Sequence, residues 1–438
     1  MRPRARRKIL RLGLAAAVAV SLVGCAGEED DPLADRVILV GVDGLDWRIV
    51  RPLIENGSMP NLARFVARGA SGELDTLLPT YSPNIWASVA TGKLPRKHGI
   101  QDFVGVLPSG QRVPITSNVR RVKALWNILG EAGLDVAVLG WWTTWPAEPV
   151  RGVMVSDRML FNRFNLWLGL SRFGADLPAQ TYPPELFDQL EDLIHLRPEI
   201  VARDFRARFP EAPERLTEDL HDPWYELFLV FARDRAYRSI LQRVLERETY
   251  DFVAFYLNGP DVASHYFWKY RFAEEWPEAI PDEELVARRD VIERYYSFAD
   301  EIIGELLEQA DERCLVILVS DHGFVTGHRP DSPNISGVHW NSAPPGVIAM
   351  AGSLIAPGTT LERGSVLDLT PIVLHALGLA VGQDMDGRVP PAVARLGGAP
   401  VRYVESYEDA DARAPGVLIP TEHDSAIIER LEALGYVN

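Results

Sequence analysis

Val37-Ile38-Leu39-Val40-Gly41-Val42-Asp43 is an unbroken apolar run that stops on a carboxylate. Strand-like runs of the same kind recur at Val136–Gly140, Phe252–Leu257, Leu315–Val319 and Val347–Ala351. Between them lie stretches with helical spacing of apolar residues: Met59–Arg68, Val122–Ala132, Glu226–Arg247, Arg289–Gln309 and Val366–Leu377. Pro60 suits the first turn of its helix and Gly69 the C-terminal stop. Strands alternating with helices predict an α/β fold whose mainly parallel central sheet is covered by helices on both faces. In such sheets ligands collect beyond the carboxyl ends of the strands. Asp43, Asp261 and Asp321 all fall there.

Around those carboxylates the sequence gathers further donors. Pro260-Asp261-Val262-Ala263-Ser264-His265, Ser320-Asp321-His322-Gly323 and Gly337-Val338-His339 each set Asp or His at or just past an apolar stretch. Oxygen and imidazole donors without thiolate suit zinc or manganese and not an iron–sulfur centre. Asp261 and His265 taken alone could be a surface pair one helical turn apart. Together with Asp321, His322 and His339 they point to a metal-dependent enzyme.

The chain begins with a basic head (Arg2, Arg4, Arg6, Arg7, Lys8, Arg11) and the apolar stretch Leu12 to Val23. That stretch is short of the ~20 residues of a spanning helix, so residues 1–24 read as an export signal. Leu22-Val23-Gly24-Cys25 resembles a bacterial lipobox, which implies cleavage before Cys25 and acylation of its thiol. Ala26, in place of Asp, implies sorting to the outer membrane of a periplasm-facing lipoprotein, and residues 25–35 read as a solvated tether. Loss of residues 1–24 removes six cations and no acids, taking the formal charge from −16 to −22. So acidic a chain argues against non-specific nucleic-acid binding and leaves membrane attachment to the lipid. With Cys25 acylated, Cys314 has no disulfide partner and reads as a small buried hydrophobe.

Residues 36–398 read as one catalytic domain. Within it, 146–248 lack a convincing buried strand and are expected to form a helical cap, with helix-like patches at Pro184–Leu193 and Ala202–Phe209. The extension 399–438 carries apolar positions Ile427, Ile428, Leu431 and Leu434 at helical spacing, a terminal helix that docks on the core.

Pro79-Thr80-Tyr81-Ser82-Pro83-Asn84 places hydroxyls just ahead of a helix, where the positive field of its terminus favours an oxyanion. A Ser-Pro pair at such a place is most often only an N-cap. Val37–Gly44, Pro79–Phe103, Asp251–His265, Cys314–Phe324 and Gly337–Val347 together resemble the type I phosphodiesterase/nucleotide pyrophosphatase family, a branch of the alkaline phosphatase superfamily. In that family the nucleophile lies nine residues before the Thr of a Thr-Gly pair, with His-Gly following. Thr91-Gly92 and His98-Gly99 are present, and counting back from Thr91 selects Ser82 over Thr80. The resemblance implies an alkaline-phosphatase-like fold and two divalent cations, zinc with manganese as the alternative. One would be held by Asp43, Ser82, Asp321 and His322, the other by Asp261, His265 and His339. It further implies attack of Ser82 on phosphorus and a phosphoseryl intermediate, with a phosphate ester as substrate.

The chain departs from the family where an Asn donor is expected, twenty-one residues beyond the nucleophile: that position is Phe103. Asn84 is the candidate substitute. No Cys/Ser-x-Pro-x-Arg run is present, which argues against a sulfatase. Two alternatives use the same fold: a phospho-group transferase to a lipid or glycan, and a non-catalytic binding lipoprotein. Trp141, Trp142 and Trp145 could line a cleft or seat the cap. His98 is expected to be structural, His328 to be either a ligand-orienting or a solvated loop residue, and His195, His221, His375 and His423 to be surface or packing residues.

Overall fold

The computed structural model describes residues 32–159, 177–194, 197–217, 219–329, 332–339, 342–353, 355–394, 398, 400–408 and 416–437. Residues 1–24, read above as an export signal, and Cys25 and His195 lie outside them. Among the described residues, ten strands form the main sheet: β1 (Arg36–Val42), β2 (Ala70–Asp75), β3 (Val136–Leu139), β4 (Gly152–Val155), β5 (Thr181–Tyr182), β6 (Phe252–Leu257), β7 (Cys314–Val319), β8 (Gly346–Ala351), β9 (Thr359–Thr360) and β10 (Gly364–Ser365). Their order is β9-β2-β8-β7-β1-β6-β3-β4-β5, with β10 also paired to β2. The core strands β7, β1, β6, β3 and β4 run parallel, and β8 is antiparallel to both its neighbours.

The apolar runs are continuous because both faces of these strands are covered. Along β1, Ile38, Val40 and Val42 enter one core while Val37 and Leu39 enter the other. β7 repeats this, with Val316 and Leu318 on one side and Leu315, Ile317 and Val319 on the other. Successive strand residues point to opposite faces, so no position along them meets water.

The segment 146–248 departs from the expected cap. It contributes β4 and β5, which lengthen the sheet beside β3, before turning helical at Leu186–Ile194, Pro198–Arg208 and Pro223–Arg247. These strands have four and two residues, too few to show as apolar runs. Residues 32–438 form one compact unit. The terminal helix Asp424–Ala433 is present and docks: Ile427, Leu431 and Leu434 are buried, and Arg430 pairs with the buried Glu226 at 3.0 Å. Among the described residues no helix is long and apolar enough to cross a membrane.

Candidate active site

Strand register brings the ligands together. Val42 lies opposite Leu257 and Gly41 opposite Val319, so the residues after β1, β6 and β7 leave the sheet at one edge. Asp43 follows β1, Asp321 and His322 follow β7, and Asp261 opens the helix Gly259–Arg271 after β6. His265 is one turn further along that helix, and His339 follows the short strand Gly337–Val338. Gly44, at φ +66°, lets the first two loops touch: a Cβ there would stand 2.8 Å from the Asp261 Cα. All six side chains are at most 1% exposed.

The three imidazoles are oriented alike. Nδ1 of His265 faces the Gly337 carbonyl at 2.8 Å, that of His322 faces the Gly323 carbonyl at 3.2 Å, and that of His339 faces Thr80 Oγ1 at 3.0 Å. Thr80 Oγ1 itself donates to the His339 carbonyl at 2.7 Å, which leaves its lone pairs for the His339 ring. Each Nδ1 therefore holds the proton and each Nε2 presents a lone pair to the cluster. The Nε2 atoms of His265 and His339 stand 3.1 Å apart. Two lone pairs facing at that distance call for a proton or a cation between them.

Four further atoms make the same demand. Asp43 Oδ1, Asp261 Oδ1, Asp321 Oδ2 and His322 Nε2 are buried without a hydrogen-bond partner. His322 Nε2 is 3.4 Å from Asp43 Oδ1, 3.4 Å from Asp321 Oδ2 and 3.9 Å from Asp261 Oδ1. Asp43, Asp321 and His322 can surround one ion, and Asp261, His322 and His339 another, with the donor atoms of each set within 4.8 Å of one another. His265 Nε2, 3.5 Å from Asp261 Oδ1, completes the second group. Buried acceptors left unpaired are costly, and a divalent cation suits oxygen and imidazole donors so arranged. The residues fit the expected cations, with His322 standing between the two sets.

Proton affinities follow the crowding. Burial, with the charge of Asp43 added, pushes Asp261 and Asp321 well above the ordinary carboxylate range. Burial acts the same way on Asp43, but the imidazole of His322 close by, with the donors Tyr256 and Trp86, outweighs it and holds Asp43 low. Burial brings His265 down to about 3, and burial with the charges of His322 and His265 takes His339 well below its usual value. For His322 burial is overcome by the Asp43 carboxylate 3.4 Å away, with Asp261 adding to it, and its pKa rises. A cation would replace the protons on Asp261 and Asp321.

Ser82 is the first residue of the helix Ser82–Thr91, every residue of which is buried. Two neighbours fix its place. Thr80 bonds His339, and Trp86, one turn beyond Ser82 on the same helix face, donates Nε1–H to Asp43 Oδ2 at 3.0 Å. Ser82 is thus bracketed by contacts to both ligand groups, while Thr80 is committed to His339. Asn84 is buried, its Nδ2 donating to the Pro79 carbonyl at 3.3 Å and its Oδ1 unpartnered. Phe103 is buried and stacks on Tyr436 at 4.7 Å.

Two tyrosines at the site were missed from sequence. The Tyr256 hydroxyl donates to Asp43 Oδ2, and the Tyr436 hydroxyl donates to Asp261 Oδ2. Tyr256 is the penultimate residue of β6, a position that signals proximity to the ligand edge; nothing marks Tyr436. Trp142 donates to the Tyr256 hydroxyl at 2.6 Å, Trp141 packs edge-on against Trp86, and Trp145 donates to the Pro178 carbonyl at 2.9 Å. His98 is buried and structural: Ser88 Oγ lies 2.9 Å from its Nε2, and Ile100 N–H donates to its Nδ1 at 3.2 Å. His328 is at the surface beside Glu278, 3.4 Å away. His221 is exposed, while His375 and His423 are buried packing residues. Cys314 is buried, and burial pushes its thiol up to about 11.

A parallel sheet with a buried Asp/His cluster at its carboxyl edge is an arrangement able to hold metal ions. Residues 37–344 match the type I phosphodiesterase/nucleotide pyrophosphatase family, and the chain belongs to that family. No curated protein matches the chain. Among solved structures, it resembles a phosphonate monoester hydrolase from Silicibacter pomeroyi (14% identity, 83% of this chain and 77% of that one, TM-score 0.48). It also resembles murine ectonucleotide pyrophosphatase/phosphodiesterase 5 (13%, 79% and 95%, TM-score 0.44). A third is phosphonoacetate hydrolase from Sinorhizobium meliloti 1021 (17%, TM-score 0.39), where the match covers 69% of this chain and spans 59% of that hydrolase.

Proposed function

We propose that the chain hydrolyses phosphate esters with two divalent cations, zinc or manganese, and Ser82 as nucleophile. The observation that carries this is the set of four buried, unpartnered donor atoms on Asp43, Asp261, Asp321 and His322, beside a helix-terminal serine. Asp43, Asp321 and His322 would hold one cation with Ser82 Oγ, and Asp261, His265 and His339 the other. The cations would supply positive charge to the phosphate and to the entering and leaving oxygens. Ser82 Oγ, in the positive field of its helix, forms a bond to phosphorus as the ester P–O bond breaks and the alcohol leaves. A water oxygen then replaces Ser82 Oγ on the phosphoseryl group, and the serine regains its proton. Thr80 keeps His339 in the tautomer that presents Nε2. Asn84, two residues beyond the nucleophile, is the proposed donor to the phosphoryl oxygens.

Chromogenic phosphate mono- and diesters offered to wild type and Ser82→Ala, with metal content measured on both, test this. Turnover lost in the variant while metal is retained is the expected result. A Ser82→Ala protein that still turns over would remove the serine mechanism. The proposal extends to export and lipid anchoring at Cys25, which predicts labelled fatty acid on the wild type and none on Cys25→Ser.

A further inference from the structure

A cavity of about 80 Å³ adjoins the cluster. Its walls include Phe103, Trp142, Arg158, Asn258 and Tyr436, and helix Asp424–Ala433 contributes Ile427 and Leu431. It opens beside the ligands, since Tyr436 donates to Asp261 and Trp142 donates to Tyr256, which in turn donates to Asp43. Flat rings and aliphatic side chains make most of its surface apolar.

Three arginines reach it, and they are not equivalent. Arg430 is paired with Glu226 at 3.0 Å and Arg233 with Asp234 at 3.2 Å. Arg158 is 7% exposed and, among the described residues, has no carboxylate at salt-bridge distance. Its Nη2 donates to the Ile115 carbonyl at 2.5 Å, its guanidinium lies 4.5 Å from the Trp145 ring, and its Nη1 is buried without a partner. The charges of the adjacent Asp157 and of Asp424 favour the guanidinium without reaching ion-pair distance, and Asp157 accepts from the Thr143 and Trp145 amides, each at 2.9 Å. Asp424 accepts from Thr421, through its amide at 2.9 Å and its hydroxyl at 2.7 Å. A guanidinium buried with no paired carboxylate is costly, and an arriving anion relieves that cost.

We propose that this cavity is the subsite for the organic group of the ester, and that it selects an apolar or aromatic group bearing its own anion, read by Arg158. The proposal rests on the phosphoester reading and names the substrate class within it. Neutral esters would fill the ring-lined space and leave Nη1 unpaired; acidic ones would satisfy it.

The test uses two non-hydrolysable phosphonates that share an aryl group, one carrying a carboxylate and the other the corresponding amide. Calorimetry on metal-loaded protein is expected to show the acid binding about tenfold tighter to wild type, the scale of one hydrogen bond between charged groups. In Arg158→Gln the ratio should fall to near one, and Arg158→Lys should keep part of it. Equal affinities for wild type, or no binding of either, overturn the proposal whether or not the variants fold. A preference that survives in Arg158→Gln overturns the role of Arg158. Failure of the metal-loaded protein to hydrolyse any phosphate ester would instead remove the underlying reading, leaving the affinity ratio to judge the cavity.

Discussion

Asp43 and Asp261 each accept from a phenol at one oxygen and keep the other buried without a hydrogen-bond partner. The phenols fix which oxygen faces the centre, so they would act on a bound metal through its ligands. Tyr256→Phe and Tyr436→Phe are each expected to weaken metal binding about 10- to 100-fold, read by competition with a chelator. Full affinity in both would reduce these tyrosines to packing. The aspartates and histidines were legible because each sits within a few residues of an apolar run. Tyr436 was not, since its partner is 175 residues away and only the folded tail brings them together.

His98 supplies a second expectation at the same scale. Burial lowers its pKa from 6.5 to about 3, so between these values the unfolded chain takes up a proton that the folded chain refuses. Its contribution to stability is therefore complete above pH 6.5 and is lost as pH falls, by about 2 kcal/mol at pH 5. His98→Asn should show a shallower loss of urea resistance from pH 7 to pH 5 than the wild type. Parallel slopes would mean that the ring is protonated in place.

Among elements, the terminal helix is held by a buried ion pair as well as by apolar contacts. Burial raises the pKa of Glu226 against the opposing charge and hydrogen bond of Arg430. Arg430→Met would leave that carboxylate buried alone and is expected to cost about 3–5 kcal/mol in chemical denaturation. A loss below 1 kcal/mol would mean that water reaches Glu226. The helix was readable from its spacing, as were the long core strands. The short strands β4 and β5 were not, because a strand of two or four residues cannot display a period. Helix Pro223–Arg247 begins three residues before its apolar pattern suggests, since Asp222 accepts from the Trp224 and Tyr225 amides and Pro223 fills the first turn.

At the scale of the whole molecule, three buried carboxylates share one small volume in a chain of formal charge −16. Each cation bound there would stabilise the folded state by roughly 4 kcal/mol at a thousand times its Kd. Chelator-treated protein should unfold at a lower temperature and recover with added zinc or manganese. The gain should grow with pH, because the raised carboxyls of Asp261 and Asp321 must lose protons first. A melting temperature indifferent to chelation would argue that no ion sits there.

The pairing of β1 has a consequence for how the molecule is made. Val37 lies against Phe252 on one side and Leu315 on the other, so the strand that delivers Asp43 waits for partners more than two hundred residues later in the chain. Closing loops of that length makes assembly slow compared with local helix formation. Until it happens, Asp43, Asp261 and Asp321 belong to separate, mobile segments with little hold on an ion. Capture of a metal would therefore be a late event, coupled to the central pairing, and a chain held unfolded would have no site to hold one.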